Sequence, residues 1–83
     1  MSGQLKLSGQ VAIVTGAATG LGEAIAKILG EEEASVAVVD INIQDAKRVK
    51  SEILEKGGAA LAVQCDVTQS HQVTGMVKQV LGR

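Results

Sequence analysis

Val11-Ala12-Ile13-Val14-Thr15-Gly16-Ala17-Ala18-Thr19-Gly20-Leu21-Gly22 decides the fold of this chain. Its first four residues are continuously apolar, the pattern of a strand covered on both faces. Glycines at 16, 20 and 22 then lead into Leu21, Ile25, Ile28 and Leu29, which fall at helical intervals. A strand that turns through glycines straight into a helix aims the helix N-terminus beyond the sheet edge. Unpaired backbone N–H groups and the helix dipole make that end a seat for an anion, and a dinucleotide pyrophosphate fits it. In this reading Gly16 makes the tight turn, Gly20 admits phosphate to the backbone and Gly22 lets helix and sheet pack closely. Thr15 and Thr19 can add hydroxyl hydrogen bonds.

Working outward, Asp40 closes a second apolar run, Val36-Ala37-Val38-Val39, 18 residues past Gly22. A carboxylate about 20 residues past the glycines is placed to meet the adenosine ribose. It accepts from ribose hydroxyls and repels a 2′-phosphate, and neither Thr19 nor Ile41 brings a positive charge to offset that. NAD is therefore favoured over NADP.

The first helix is predicted from about Gly20 to about Glu32. Asn42 suits an N-cap, with Asp45 three residues on, and Ile43, Ala46, Val49 and Ile53 form the next apolar stripe. Gly57-Gly58 ends that helix. Ala59 to Cys65 reads as a third strand, and Thr68 as the cap of a last helix with the stripe Val73, Met76, Val77, Val80 and Leu81. The order β-α-β-α-β-α, without proline or linker, predicts an α/β fold. It is a partial Rossmann fold whose three-stranded parallel sheet runs in the order 3-2-1, joined by right-handed crossovers.

Composition bounds the rest. Eighty-three residues make at most one small domain, with a thin margin of stability. Hydrophobic residues are 46% and aromatics are absent, so the core is built from Val, Ile, Leu, Ala and Met. The stacking platforms of many single-strand nucleic-acid binders are missing. A net charge of −1 with scattered signs makes no case for nucleic acid or anionic membrane as a partner. A single cysteine excludes an internal disulfide framework, and no apolar run approaches membrane length. A cytoplasmic location is the expectation. No Cys, His or carboxylate spacing suggests a metal site. Cys65 reads as a small buried hydrophobe and His71 as a solvated residue in a first helical turn. Lys47, Arg48 and Lys50 read as a solvated basic face.

The spacing Gly-x-x-x-Gly-x-Gly, following Gln10-Val-Ala-Ile-Val-Thr-Gly16, resembles the short-chain dehydrogenase/reductase family. The resemblance runs from about Leu7 to Arg83 and covers roughly the first third of a family member. It implies a nicotinamide cofactor held by Gly16, Thr19, Gly20, Leu21, Gly22, Asp40 and Ile41. It adds Asp66 and Val67, where a carboxylate and a backbone N–H would hold the adenine edge. On residues alone, Asp66 reads as a turn residue or cap.

For a whole family member the resemblance implies hydride transfer to or from an alcohol or carbonyl. The family's Asn-Asn-Ala-Gly loop, catalytic serine and Tyr-x-x-x-Lys pair have no counterpart here. Asn42 is the only asparagine and tyrosine is absent. No catalytic residue is assigned, and the chain is expected to be a truncated Rossmann domain over 1–83, inactive alone. Alternatives are a free-standing nucleotide-binding or partner-docking module, or a truncated product without selected activity. With a fourth strand missing, the first strand is predicted to be an open edge for self-association or docking. The family's Glu-Gly-Ala before the second strand is here Glu33-Ala34 after another glutamate. A left-handed turn at Glu33 would cost on the order of 1–2 kcal/mol. Glu31, Glu32 and Glu33 also oppose the helix dipole, and His71 stands where a capping-box acid would help.

Overall fold

A computed structural model describes Leu7, residues 9–18 and residues 20–81, with Leu81 as backbone only. Thr19 and the Leu81 side chain, both singled out from the sequence, lie outside the described residues. The elements are β1 (Val11–Thr15), α1 (Gly20–Glu31), β2 (Ser35–Asp40), α2 (Ile43–Glu55), β3 (Ala59–Gln64) and α3 (Ser70–Leu81). All strand pairing is parallel. β1 meets β2 from Val11↔Ser35 to Thr15↔Val39, and β2 meets β3 from Ser35↔Ala59 to Asp40↔Gln64. The spatial order β1-β2-β3 is the predicted one, with β2 central.

β2 is continuously apolar because both its faces are covered. Val36 and Val38 pack with Ala17, Ala26, Ala34, Ala46, Val49 and Ile53 on the side of α1 and α2. Ala37 and Val39 pack on the other side with Val63, Cys65 and Met76, where α3 lies. Each fully buried valine contributes roughly 1.5–3 kcal/mol relative to exposure, so this strand anchors the domain. One methyl group of α2 is packed closely against both α1 and the turn that follows α2. A Cβ placed on Gly30 would stand 2.9 Å from Ile53 Cγ2, and one on Gly58 2.8 Å from the same atom.

Both crossover helices end in the same motif. After α1, the Ala34 N–H donates to Leu29 O and the Glu33 N–H to Gly30 O. After α2, the Gly58 N–H donates to Ile53 O and the Gly57 N–H to Leu54 O. These are the paired bonds of a Schellman ending, which needs a left-handed residue at its turn. Gly57 has φ +86° and Glu33 has φ +73°, so the glutamate does adopt the geometry that its sequence position raised as a concern.

Three local expectations are corrected. The branched stripe of α1 does not face the core: Leu21 is 77% exposed, and Ile25 and Ile28 are exposed as well. α1 packs instead through buried Ala26 and Gly30, with Leu29 partly buried, because small side chains allow the closer approach. Thr68 does not cap α3. Its hydroxyl donates to Asp66 Oδ1 at 2.7 Å, while the Gln69 carbonyl accepts from the Gln72 and Val73 N–H groups. The third helical position is therefore Gln72 rather than His71, and Gln72 Oε1 accepts from the Asp66 N–H at 2.9 Å. The third strand closes at Gln64, one residue before Cys65. The expected cap at Asn42 is present, its side chain accepting from the Asp45 N–H at 3.2 Å.

On the α3 side of the sheet, Val11 is 52% exposed and Ile13 is exposed too. An apolar cavity of about 220 Å³ there includes Val11, Ala37, Leu61 and Val80 in its walls.

Candidate dinucleotide site

Parallel strands deliver all their carboxyl ends to one side of the sheet. There Gly16, Asp40, Ile41, Cys65, Asp66 and Val67 line a cleft of about 210 Å³. Each strand supplies its last residue or the residues just beyond it, which is why positions far apart in sequence converge.

The turn between β1 and α1 uses its glycines in two ways. Gly16 and Gly20 have φ of +63° and +59°, and nothing lies within 4 Å of the position a Cβ would take at either. Their requirement is conformational, and the open space at both leaves the backbone approachable. Gly22 is the opposite case. A Cβ there would stand 2.1 Å from the Gly16 carbonyl oxygen, so the missing side chain lets the first turn of α1 close onto the end of β1.

Asp40 ties this turn to the central strand. Its Oδ2 accepts from the Ala18 N–H at 3.1 Å and its Oδ1 from the Asn42 N–H at 3.0 Å. The Ala17 N–H also donates to Val39 O at 3.1 Å. A carboxylate oxygen has two acceptor sites, so both oxygens retain capacity for a hydroxyl.

Asp66 occupies a turn of its own. Its Oδ1 accepts from the Thr68 hydroxyl and from the Thr68 N–H, which hold the carboxyl below its usual range in that order of importance. Ile41 and Val67 are exposed apolar side chains at the cleft, and Leu21 is exposed in the adjacent first turn of α1. Cys65 is buried, as its sequence setting suggested, yet it also lines the cleft; its position directly before Asp66 was the available signal.

Arg48 was missed. Its side chain is exposed, as the reading of a solvated basic face expected, yet it also joins a closed ring of four charges between α1 and α2. Nη1 donates to Glu52 Oε2 at 2.8 Å and to Glu23 Oε2 at 3.3 Å. Nη2 donates to Glu23 Oε1 at 3.1 Å and to the Ala18 carbonyl at 2.8 Å. Lys27 closes the ring, 2.6 Å from Glu23 and 2.9 Å from Glu52. The Arg48 and Lys27 hydrogen bonds pull Glu23 from an ordinary 4.5 to about 2. Lys27 and then Arg48 lower Glu52, while Glu23 and then Glu52 raise both cations. The i,i+4 spacings Glu23/Lys27 and Arg48/Glu52 were the sequence signal for it. His71 is exposed. Among the described residues no cluster of metal-ligating side chains occurs, and no helix is long and apolar enough to cross a membrane.

Comparison with known proteins agrees with this geometry. The short chain dehydrogenase family model matches residues 10–83, and the chain belongs to that family. It is 41% identical over 75 residues to 7alpha-hydroxysteroid dehydrogenase of Escherichia coli K12, covering 90% of this chain and 29% of that protein. A solved 7α-hydroxysteroid dehydrogenase complexed with NADH and 7-oxo glycochenodeoxycholic acid superposes with a TM-score of 0.92 at 38% identity. It covers 96% of this chain and 31% of the other. A metagenomic short-chain oxidoreductase in complex with NADP superposes with a TM-score of 0.88 at 39% identity, over 92% and 34% of the two chains. The chain thus spans about a third of the length of these relatives, which between them bind NADH or NADP.

Proposed function

We propose that this chain binds a nicotinamide dinucleotide, NAD in preference to NADP, as the N-terminal cofactor-binding portion of a short-chain alcohol/carbonyl oxidoreductase. The observation that carries the reading is that Gly16 and Asp40 border one cleft while Asp40 is bonded to Ala18 of the glycine turn. Pyrophosphate seat and ribose carboxylate are thereby one unit. The backbone of Gly16, Thr19, Gly20, Leu21 and Gly22 would receive the pyrophosphate, Asp40 and Ile41 the adenosine ribose, and Asp66 and Val67 the adenine edge. The exposed Ile41 and Val67 side chains suit a flat apolar ring. Because relatives bind either dinucleotide, the preference for NAD rests on the negative charge of Asp40 beside the 2′ position. The bound nicotinamide supplies the hydride chemistry. The residues of this chain would bind the adenosine and pyrophosphate, and with no tyrosine present none of them takes the family's acid–base role.

Thermal unfolding of the 83-residue chain with NAD, NADP, ADP-ribose and AMP tests this. A ligand at 100 times its Kd stabilises a folded binder by about 2.7 kcal/mol. NAD is expected to raise Tm more than NADP, and ADP-ribose to match NAD, because the assigned contacts fall on the adenosine and pyrophosphate. A transition blind to all four ligands overturns the reading.

A second reading, docking against further polypeptide, is favoured by exposed Val11 and Ile13 on β1 and by exposed Leu21, Ile25 and Ile28 on α1. The two readings are compatible.

A further inference from the structure

We propose that Arg48 is a positioning residue for the glycine turn, holding the Ala18 carbonyl so that the turn stays shaped for an anion. The proposal rests on the reading that this turn receives the pyrophosphate. Gly16 and Gly20 permit the turn without fixing it, since no atom packs where their side chains would be. Among the described residues, two side chains hydrogen-bond to the turn, and both hold Ala18. Asp40 accepts from its N–H and Arg48 donates to its carbonyl. The turn is thus gripped from both sides at a residue only 1% exposed.

The guanidinium suits this task. Its four η N–H donors are all engaged, three on the carboxylates of Glu23 and Glu52 and one on Ala18. The carboxylates fix the plane of the fork and hence the direction of the donor that reaches the turn. Neither Arg48 nor Ala18 lines the cleft, so Arg48 acts through the turn and does not touch the ligand. If the Ala18 carbonyl were released, it would be free to rotate toward the anion seat, where its oxygen repels phosphate.

The test compares Arg48→Met, Arg48→Lys and Lys27→Met with the unaltered full chain. Each is titrated with ADP-ribose by calorimetry, and amide spectra are recorded without ligand. Lys27→Met removes ion pairs from the same ring but leaves the bond from Arg48 to Ala18, so it controls for stability alone. Arg48→Met is expected to weaken ADP-ribose about 5- to 10-fold, at the low end of ordinary coupling between sites. Lys27→Met should stay within about twofold at a comparable loss of Tm. Arg48→Lys keeps the charge without the fork and should fall between. The ligand-free amide signals of Gly16, Ala17 and Ala18 should move in Arg48→Met and stay in Lys27→Met. Unchanged affinity in Arg48→Met, or losses in both Met variants that follow Tm alone, would overturn the positioning role while leaving the binding site standing. Failure of the unaltered chain to bind ADP-ribose would overturn the functional reading and this proposal with it.

Discussion

Glu33 and Gly57 hold the same position in two copies of one helix ending, with φ of +73° and +86°. At Gly57 the left-handed backbone has no side chain to accommodate; at Glu33 it does. A non-glycine residue there costs about 1–2 kcal/mol. Glycine gives back roughly 0.5–1 kcal/mol through the freedom of the unfolded chain. Glu33→Gly is therefore expected to stabilise the domain by about 0.5–1 kcal/mol, and Gly57→Ala to destabilise it by a similar amount or more. Urea unfolding of the two variants checks both signs.

The glycine turn should separate a steric position from a conformational one. At Gly22 a methyl group would enter the Gly16 carbonyl, and both partners are backbone. Overpacking of that kind costs typically 1–3 kcal/mol or more and displaces the end of β1 from the start of α1. At Gly20 the space is open and only the φ of +59° resists a side chain. Gly22→Ala should lose more stability and more nucleotide affinity than Gly20→Ala, read by unfolding and by ADP-ribose titration.

Acid should loosen the contact between α1 and α2. Glu23 is held at about 2 in the folded chain against an ordinary 4.5, and Glu52 is also lowered. A group with a depressed folded pKa contributes stability that is present above its unfolded pKa and disappears as pH falls through the folded one. The loss therefore belongs between about pH 5 and pH 2. The raised values of Lys27 and Arg48 act only on the alkaline side, where their contribution would fade. Tm followed over that acid range should fall less steeply in Glu23→Gln than in the unaltered chain.

Asp40 should show two separable losses. Asp40→Ala strips the acceptor from the Ala18 and Asn42 N–H groups; the Ala18 donor is the buried one, and orphaning it costs about 1–3 kcal/mol. Asp40→Asn keeps one acceptor oxygen and removes the charge. Its stability loss should be smaller, while the advantage of NAD over NADP narrows in both variants. A preference unchanged in Asp40→Asn would separate the carboxylate from the ribose.

The exposed branched residues of α1 and the uncovered face of β1 lead to an expectation for solution behaviour. Sedimentation of the 83-residue chain should show mass rising with concentration, and Ile25→Lys with Ile28→Lys should reduce it. A concentration-independent monomer would remove that surface from consideration.

What the sequence disclosed depended on the range of the interaction. The run Val36 to Val39 announced a strand buried on both faces, and its place between β1 and β3 follows from the crossover order. The glycine turn, the end of β2 at Asp40 and the Asn42 cap were legible because each is local chemistry. The rotation of α1 was not. Two stripes run along that helix at helical spacing, Leu21-Ile25-Ile28 and Gly22-Ala26-Gly30, and bulk made the first the more conspicuous. Close packing selected the second. Arg48 was hidden for a related reason: its worth lies in reaching Ala18, 30 positions earlier, which no local pattern records.

The methyl shared by Gly30 and Gly58 has a historical consequence. Cγ2 of Ile53 fills the space that a side chain at either glycine would need. A lineage can enlarge Gly30 or Gly58 only after residue 53 has lost or redirected that methyl, and once one is enlarged Ile53 cannot readily return. The order in which these three positions change is therefore constrained, and comparison of related sequences should find them drifting together rather than one at a time.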